Sequence, residues 1–487
     1  MKNLSKQLTK MFEGSQVNQK VFFAGKREIV LFYIENLVNT KQLAVSVLSQ
    51  ISKICEKGDF SSLKDKVKQC LLVASKIEEI TNPDEVAEKV FAGSVCVVIG
   101  EQALSFSLFE PNGRGVEEPP TSRVIKGPRE GFVEDVLVNL SLVRKRIKTK
   151  NLKIKDYFIG NQTRSHIVLM FVEGIAKQCV VKEVEKRIES INVDAILDSY
   201  YIESFLEDKK LKFFRRVGNT EKPDVFASKI LEGRVGIIVD GSPIALTVPF
   251  MFLEDLQSPD DYYSVPAKAT FSRFMRLIGL VFAVLAPGVY VALQSFNYRL
   301  LPMNFLIILL ESIEGLSVPP LVEILVVLLL FEVITEASLQ MPSALSMALS
   351  IIGALALGNT AVDAGIISPP SIVVVAVSSV AVYIIPDQIS QTRLIRMLFT
   401  VVGGIAGLYG IVMVFMIMVS YMCSIKSFGV PYLAMYAPSI KADKKDGLIK
   451  EELTAMLSRP KMIAGKNKIR QRTKTKELNL TEKRAKK

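Results

Sequence analysis

The chain has 487 residues, 49% of them hydrophobic, with a mean hydropathy of +0.31 and a net charge of +12. That hydropathy excludes an ordinary wholly soluble protein, and at roughly 150 residues per domain the length predicts about three domains. A single histidine, His166, and five cysteines without a CxxC spacing (Cys55, Cys70, Cys96, Cys179 and Cys423) exclude a zinc centre and predict reduced, buried thiols in a cytosolic compartment.

In chain order, residues 1–25 are polar and of mixed charge, and read as a loose leader. They contain no apolar run, so no signal peptide is predicted and residues 1–270 are expected in the cytoplasm. Residues 27–34 read as a strand, and 41–57 and 62–75 carry helical periodicity. Residues 90–99 and 103–109 form a hairpin around Gly100, Glu101 and Gln102. That hairpin recurs: residues 230–249 align with 90–109 at a constant offset of 140, with Gly93 on Gly233, Val95 on Val235 and Phe106 on Leu246. The recurrence implies two α/β subdomains of related design, one copy each and too few for a solenoid. Between them, residues 111–132 form a charged loop rich in Pro and Gly. Residues 134–148, 181–191 and 195–206 are predicted helices, and 151–159 and 164–176 are extended. In the loop 257–267, Asp260 and Asp261 are placed to cap the approach to the membrane.

From Leu277 to Ile425 the chain is an apolar block broken by Pro, Gly and a few acids. A bilayer's hydrocarbon core takes about 20 apolar residues of helix. Four spans are predicted, at 277–297, 321–339, 371–385 and 397–423, with short half-helices at 304–310 and 344–358. An even number of spans leaves both termini cytoplasmic. Gly403 and Gly407 form a GxxxG suited to tight helix packing. Within the block stand seven acids (Glu311, Glu314, Glu323, Glu332, Glu336, Asp363 and Asp387) against Arg299, Arg393 and Arg396, a balance that favours cations. Glu332 and Glu336 share a helix face, and Glu323 projects from the opposite side. Glu323, Glu332, Glu336 and Asp363 are the ion-path candidates; bonding to neighbouring helices is the alternative. The segment 459–487 holds twelve Lys and Arg against Glu477 and Glu482, a positive-inside signal that also suits anionic lipid headgroups. No aromatic residue is interleaved there, so no nucleic-acid partner is expected. No Walker loop, HExxH, Ser/His/Asp set or metal-ligand spacing occurs, so neither catalysis nor a cofactor is expected. The predicted fold is therefore an α/β cytoplasmic N-terminal part of two related subdomains, 1–120 and 121–270, followed by an all-α polytopic membrane domain over 271–430 and a basic cytoplasmic tail over 431–487.

Several stretches in fixed order carry a resemblance. They are Lys126-Gly127-Pro128-Arg129-Glu130-Gly131-Phe132, then 139–146 (NLSLVRKR), preceded by Glu117-Glu118-Pro119, and later 350–358 (SIIGALALG), 361–365 (AVDAG) and 427–432 (SFGVPY). Over residues 25–460 the chain resembles the GerA family of bacterial spore germination proteins. The resemblance implies an A-type subunit in the spore inner membrane, homo-oligomeric around an ion path, forming with B- and C-type subunits a receptor that opens to nutrients and releases monovalent cations. The SpoVAF-like accessory branch stays open, as do a secondary transporter, which would need internal repeats in the membrane part, and a scaffold. Where the family usually carries LREA…RLP, this chain has Thr335 and Gln340 in place of Arg, so the neighbouring acids are expected to lack basic partners. Gly127, Pro128 and Gly131 fix a turn, and Arg129 and Glu130 are expected to pair across subdomains or subunits, as an interface or gating element.

Overall fold

The computed structural model describes residues 4–12, 17–24, 27–35, 38, 40–56, 77–91, 93–107, 118–119, 124, 126–207, 213–314, 316, 318–340, 361–440 and 443–471. The predicted helix at 62–75 and the half-helix at 344–358 lie outside the described residues. The chain divides into two units: Met1–Phe250 with Lys426–Val430 and Glu452–Lys487, and Met251–Ile425 with Pro431–Glu451.

The first unit contains two five-stranded antiparallel sheets. Strands β1 (Asn18–Ala24), β2 (Arg27–Tyr33), β3 (Ile77–Ile80), β4 (Ser94–Ile99) and β5 (Gln102–Ser107) lie in the order β1-β2-β4-β5-β3. Strands β6 (Leu152–Ile159), β7 (Ser165–Val172), β8 (Gly218–Thr220), β9 (Val235–Val239) and β10 (Ala245–Val248) lie in the order β6-β7-β9-β10-β8. The two orders are the same, and in each sheet a helix enters the inner hairpin: α3 (Pro83–Phe91) before β4, and α7 (Pro223–Glu232) before β9. The aligned glycines end those helices. Gly93 (φ 91°) and Gly233 (φ 113°) adopt the left-handed conformation and donate to Val90 O and Ile230 O, each at 3.0 Å.

Alternation along the strands explains why the inner strands β2, β4, β7 and β9 are largely apolar, since each sheet is covered on both faces. In the first sheet Val30, Phe32, Cys96 and Val98 face α1 (Leu4–Met11) and α3, whereas Ile29, Leu31, Val95 and Val97 face a helical run ending in α2 (Ser49–Glu56). In the second, Ile167, Leu169, Ile237 and Leu246 face α5 (Gln178–Glu189) and α6 (Ser199–Leu206), and Val168, Met170 and Ile238 face α4 (Val136–Arg146) and α7. In β9, Gly236 is required because a Cβ there would lie 2.3 Å from the Phe226 ring.

Four expectations are corrected here. The leader holds α1 and β1: Leu4, Leu8 and Phe12 are buried, and Phe12 packs on Phe32 and Phe91 at 5.2 and 5.7 Å. Polarity misled because β1 is an edge strand. Val90 and Phe91 close a helix rather than open a strand. The predicted helix at 195–206 begins only at Ser199, capped by the Asp198 side chain. Of the thiols, Cys96 is buried, which pushes it up to about 12, but Cys179 and Cys423 are exposed.

The second unit is helical: α8 (Pro266–Ser295), α9 (Met303–Ile313), α10 (Pro320–Gln340), α11 (Pro369–Val382) and α12 (Ile389–Ser424). Two helices, Pro266–Ser295 and Pro386–Ser424, are long and apolar enough to cross a membrane. The predicted span at 321–339 coincides with α10, 21 residues with three glutamates, and that at 371–385 with the 14-residue α11. Residues 304–310 lie inside α9. Helices α8 and α12 meet backbone to backbone, since a Cβ on Gly288 would lie 2.5 Å from Phe399 O and one on Gly403 2.4 Å from Gly288 O. Four residues on, Gly407 interrupts α12 at φ 62°, ψ −157°, a conformation essentially restricted to glycine.

The start of α8 is fixed by charge. Ser258 N donates to Asp261 Oδ2 (3.1 Å), and Arg276 grips both oxygens of Asp261 at 2.8 and 3.0 Å. Arg273, fully buried, binds Asp261 (3.1 Å), Asp446 (3.0 Å) and the Gly447 carbonyl. Lys450 Nζ donates to Asp261 O and lies 5.2 Å over the Tyr262 ring, whose hydroxyl donates to Asp446 (2.9 Å). Burial alone would raise the Asp261 carboxyl, but hydrogen bonds from Arg276, Ser258 N and Arg273 outweigh it and hold it below the ordinary carboxylate range. Asp261 thus caps the entry to α8, through the arginines that come after it in the chain. The segment predicted as a basic tail is hydrogen-bonded and partly buried over its described part. In the first unit, Gly465 N donates to Ile175 O (2.6 Å) and Asn467 N to Gly174 O (2.9 Å), with Ile463 and Ala464 buried.

Gly403→Val is expected to force α8 and α12 apart at a cost of about 1–3 kcal/mol, read as a lower unfolding temperature of the full chain in detergent. Asp261→Asn removes the carboxylate shared by Arg273 and Arg276 while Arg273 keeps Asp446, a loss of charged hydrogen bonds that costs about 1–3 kcal/mol. Because folding lowers this carboxyl, its contribution is complete above the unfolded value of about 3.9 and is lost as pH falls through the lower folded value. The unfolding temperatures of wild type and Asp261→Asn are therefore expected to differ at neutral pH and to converge as the pH falls below the ordinary carboxylate range.

Candidate functional site

The ion-path candidates of the second unit fall into three environments. Glu332, on α10, is held by two arginines of α12: Arg396 Nη2 at 2.7 Å and Arg393 Nε at 3.2 Å. Arg396 is buried and also donates to Ser378 and Ser379 of α11 at 3.2 and 3.0 Å, and Ser378 in turn donates to Ala283 O of α8 (2.9 Å). One carboxylate thereby ties α10 to α12, and the guanidinium it holds reaches α11. This corrects the expectation that acids beside Thr335 and Gln340 lack basic partners; the partners come from another helix.

Glu336, one turn further along α10, is exposed and, among the described residues, accepts from Gln340 Nε2 alone (3.3 Å). Glu332 and Glu336 therefore do not form a bare acidic pair: one is neutralised in the packing and the other faces outward. Asp363 is also exposed, in the short turn Ala361–Asp363.

Glu323 is different again. It is 2% exposed and lies beside Ile324, Val327 and Leu328, within the apolar cluster that also holds Tyr290 and Val375. Its Oε1 accepts from the Ser368 backbone N–H and hydroxyl, both at 2.7 Å. Ser368 is the N-cap of α11, so the positive end of that helix faces the carboxylate. Ser368 bonds Ser371 (2.8 Å), and Ser371 bonds the Tyr290 hydroxyl (3.3 Å). Among the described residues no lysine, arginine or histidine pairs with Glu323. Sequence periodicity placed Glu323 on the face opposite Glu332 but gave no hint of Ser368, Ser371 or Tyr290, which are distant in sequence.

The Gly127–Gly131 stretch lies in the first unit as a strap over α4 and the start of α7. Gly127 has φ 124°, the Pro128 carbonyl accepts from the fully buried Lys222 Nζ (2.7 Å), and Phe132 N donates to Glu221 O (2.7 Å). Asn139 closes the strap from both sides, accepting from Val133 N (2.8 Å) and donating to Val133 O (2.5 Å). Glu130 pairs with Arg146 (2.5 Å) and Lys145 (3.1 Å) of α4. Burial pulls its carboxyl upward, and these two cations outweigh that pull and hold it low. The pairing within one subdomain corrects the expected pairing across subdomains. Arg129 is exposed. Lys222 was missed by sequence reading; its signal was a lysine directly before the Pro223 that opens a helix.

Among the described residues no group of His, Cys, Asp and Glu is arranged to hold a metal. His166 sits in β7, bonded to Asp156 (2.9 Å) and stacked on Phe158 (4.8 Å).

Comparison with known proteins places these features in a family. The Bacillus/Clostridium GerA spore germination protein family matches residues 2–462, and so spans both units. Spore germination protein KA of Bacillus subtilis (strain 168) is 32% identical over 477 residues, which cover 96% of this chain and 88% of that protein. Stage V sporulation protein AF of the same organism is 30% identical over 452 residues, 92% of this chain and 91% of that protein. The crystal structure of the N-terminal domain of the A subunit of the Bacillus megaterium spore germinant receptor GerK3 covers 51% of this chain and 95% of that one, at 29% identity and a TM-score of 0.41. This chain belongs to the GerA family of spore germination proteins.

Proposed function

We propose that the chain is an A-type subunit of a spore germinant receptor. In this reading it lies in the spore inner membrane with both termini cytoplasmic, works with B- and C-type subunits, and assembles with its own copies around a ligand-gated path for monovalent cations. The observation that carries this is the family match over residues 2–462. Supporting it, two helices have the length and apolarity of spans, and α12 exposes Ile405, Val412 and Met416, side chains suited to lipid. With α10 and α11 as further crossings the count is four.

The carboxylates then divide their roles. Glu332, matched by Arg396 and Arg393, is a clamp between helices rather than a bare ring charge. Glu323, Glu336 and Asp363 remain for the cation path. The strap from Gly127 to Gly131 offers exposed Lys126, Gly127 and Arg129 to a neighbouring subunit. A second reading, an accessory germination channel, is favoured by one observation: identity to stage V sporulation protein AF, 30%, is close to the 32% to protein KA.

Full-length protein reconstituted into potassium-loaded liposomes is expected to release the cation, and absence of flux at verified incorporation would leave a scaffold. Flux that requires a counter-gradient would instead indicate a transporter. In germinating spores, Glu336→Ala is expected to alter ion release; unchanged release at normal protein level removes Glu336 from the path.

A further inference from the structure

The described part of the basic segment is a closed loop. Arg459 N donates to Lys468 O (2.8 Å), Arg470 N to Leu457 O (2.9 Å) and Gln471 Nε2 to Leu453 O (2.7 Å). Ser458 and Ile469 form the bridge between the two arms. One face of the loop is docked on the sheet-bearing unit. Met456, Ile463 and Ala464 are buried, and Lys177 Nζ donates to Met462 O beside the bonds from Gly465 and Asn467. Gly465 suits this close contact, because a Cβ there would lie 2.9 Å from Ala176 O.

The other face is open and holds two things that folding normally avoids. Leu453, Leu457 and Ile469 are 54%, 39% and 56% exposed. Residues 453–471 contain five cations, Arg459, Lys461, Lys466, Lys468 and Arg470, and no acid. All but Arg459 are exposed. The loop sets Arg459 opposite Lys468, and like charges facing each other across a strand pair are destabilising. Burial and the charge of Arg470 both lower the Arg459 guanidinium. Among the described residues no carboxylate pairs with Lys466, Lys468 or Arg470. Crowded cations and exposed aliphatic side chains are answered together by one kind of partner, a surface of negative headgroups over an apolar layer.

We propose that the loop 453–471 docks on anionic phospholipid. Lys461, Lys466, Lys468 and Arg470 meet the headgroup phosphates, and Leu457 and Ile469 enter the boundary between headgroups and acyl chains. Nucleic acid fits this face less well, since 453–471 contains no aromatic residue on which bases stack. Connectivity also favours lipid. Leu457 comes seven residues after Lys450, whose Nζ donates to Asp261 O at the entry to α8. Whatever the arrangement of the two units, at most about 25 Å of chain separates the loop from that entry. The contact rests on the membrane reading given above, in which the loop lies on the cytoplasmic side, where the leaflet is anionic. It adds a second attachment of the chain to the bilayer, one that weakens with salt and with loss of anionic lipid.

The test is acetylation of the full chain in lipid nanodiscs with acetic anhydride, each lysine being read by mass spectrometry. Discs of phosphatidylcholine alone are compared with discs of an equal mixture of phosphatidylcholine and phosphatidylglycerol. Lys466 and Lys468 are expected to react about tenfold more slowly in the anionic discs, and high salt to restore the rate. Lys20, exposed on β1, is the internal reference and is expected to react alike in both. Ile469→Ser combined with Arg470→Gln is expected to remove the protection. Lys177, bonded to Met462 O, reports in the same spectra that the loop stays docked. If the double variant frees Lys177, the comparison of wild type between the two discs decides alone. Equal rates at Lys466 and Lys468 in the two discs overturn the contact, and so does protection that survives the double variant with Lys177 still shielded. Protection by added RNA in neutral discs, without any effect of phosphatidylglycerol, also overturns it and assigns the face to nucleic acid. A chain that enters no disc overturns the membrane reading together with the contact, whereas a chain that enters and shows equal rates overturns the contact alone.

Discussion

A buried charge has to be answered within hydrogen-bonding distance, and this rule organises the helical unit. Three solutions occur within one structure. Asp261 is answered by two arginines and a backbone N–H, and the segment 446–450 is drawn in to complete the set. Glu332 is answered by Arg396 and Arg393, which fixes how α10, α11 and α12 meet. Among the described residues, Glu323 is answered by dipoles alone, two donors from Ser368 at a helix N-cap. Ion pairs of the first two kinds join two segments of chain through opposite charges, whereas Glu323 meets the neutral donors of a helix end. Position in the packing, more than residue type, decides which kind of partner each acid meets.

The sheet unit rests on a different economy. Two sheets with the same strand order are each covered on both faces, so every inner strand must be apolar on both sides. That requirement suppresses the usual alternation of polar and apolar residues. It leaves turns, glycines and helix caps as the distinguishing marks of the repeat.

Those marks decide how much was legible in the sequence. The repeat was visible because Gly93 and Gly233, and the hairpins after them, keep a constant spacing. Its boundary was not, because Val90 and Phe91 continue the apolar run backwards into a helix. The first strand was missed because an edge strand tolerates Asn18, Gln19 and Lys20. The acids of the apolar block were readable as exceptional, but their environments were not. Glu332 meets Arg396 across 64 residues of chain and Glu323 meets Ser368 across 45, and local periodicity carries no information about such pairings. The strap was recognisable as a motif, while its role as a brace on α4 and Lys222 emerged only from the packing.

The interruption at Gly407 has a mechanical consequence. A continuous α-helix behaves as a stiff rod, because a twist imposed at one end passes through the ladder of backbone bonds to the other. With φ 62° and ψ −157° at one residue, α12 is two rods joined at a kink. The first rod carries Arg396 and Gly403, the residues that lock it to α10 and α8. The second, from residue 408 onward, starts in a new direction set by Gly407, which packs against Phe296 and Asn297 beyond those locks.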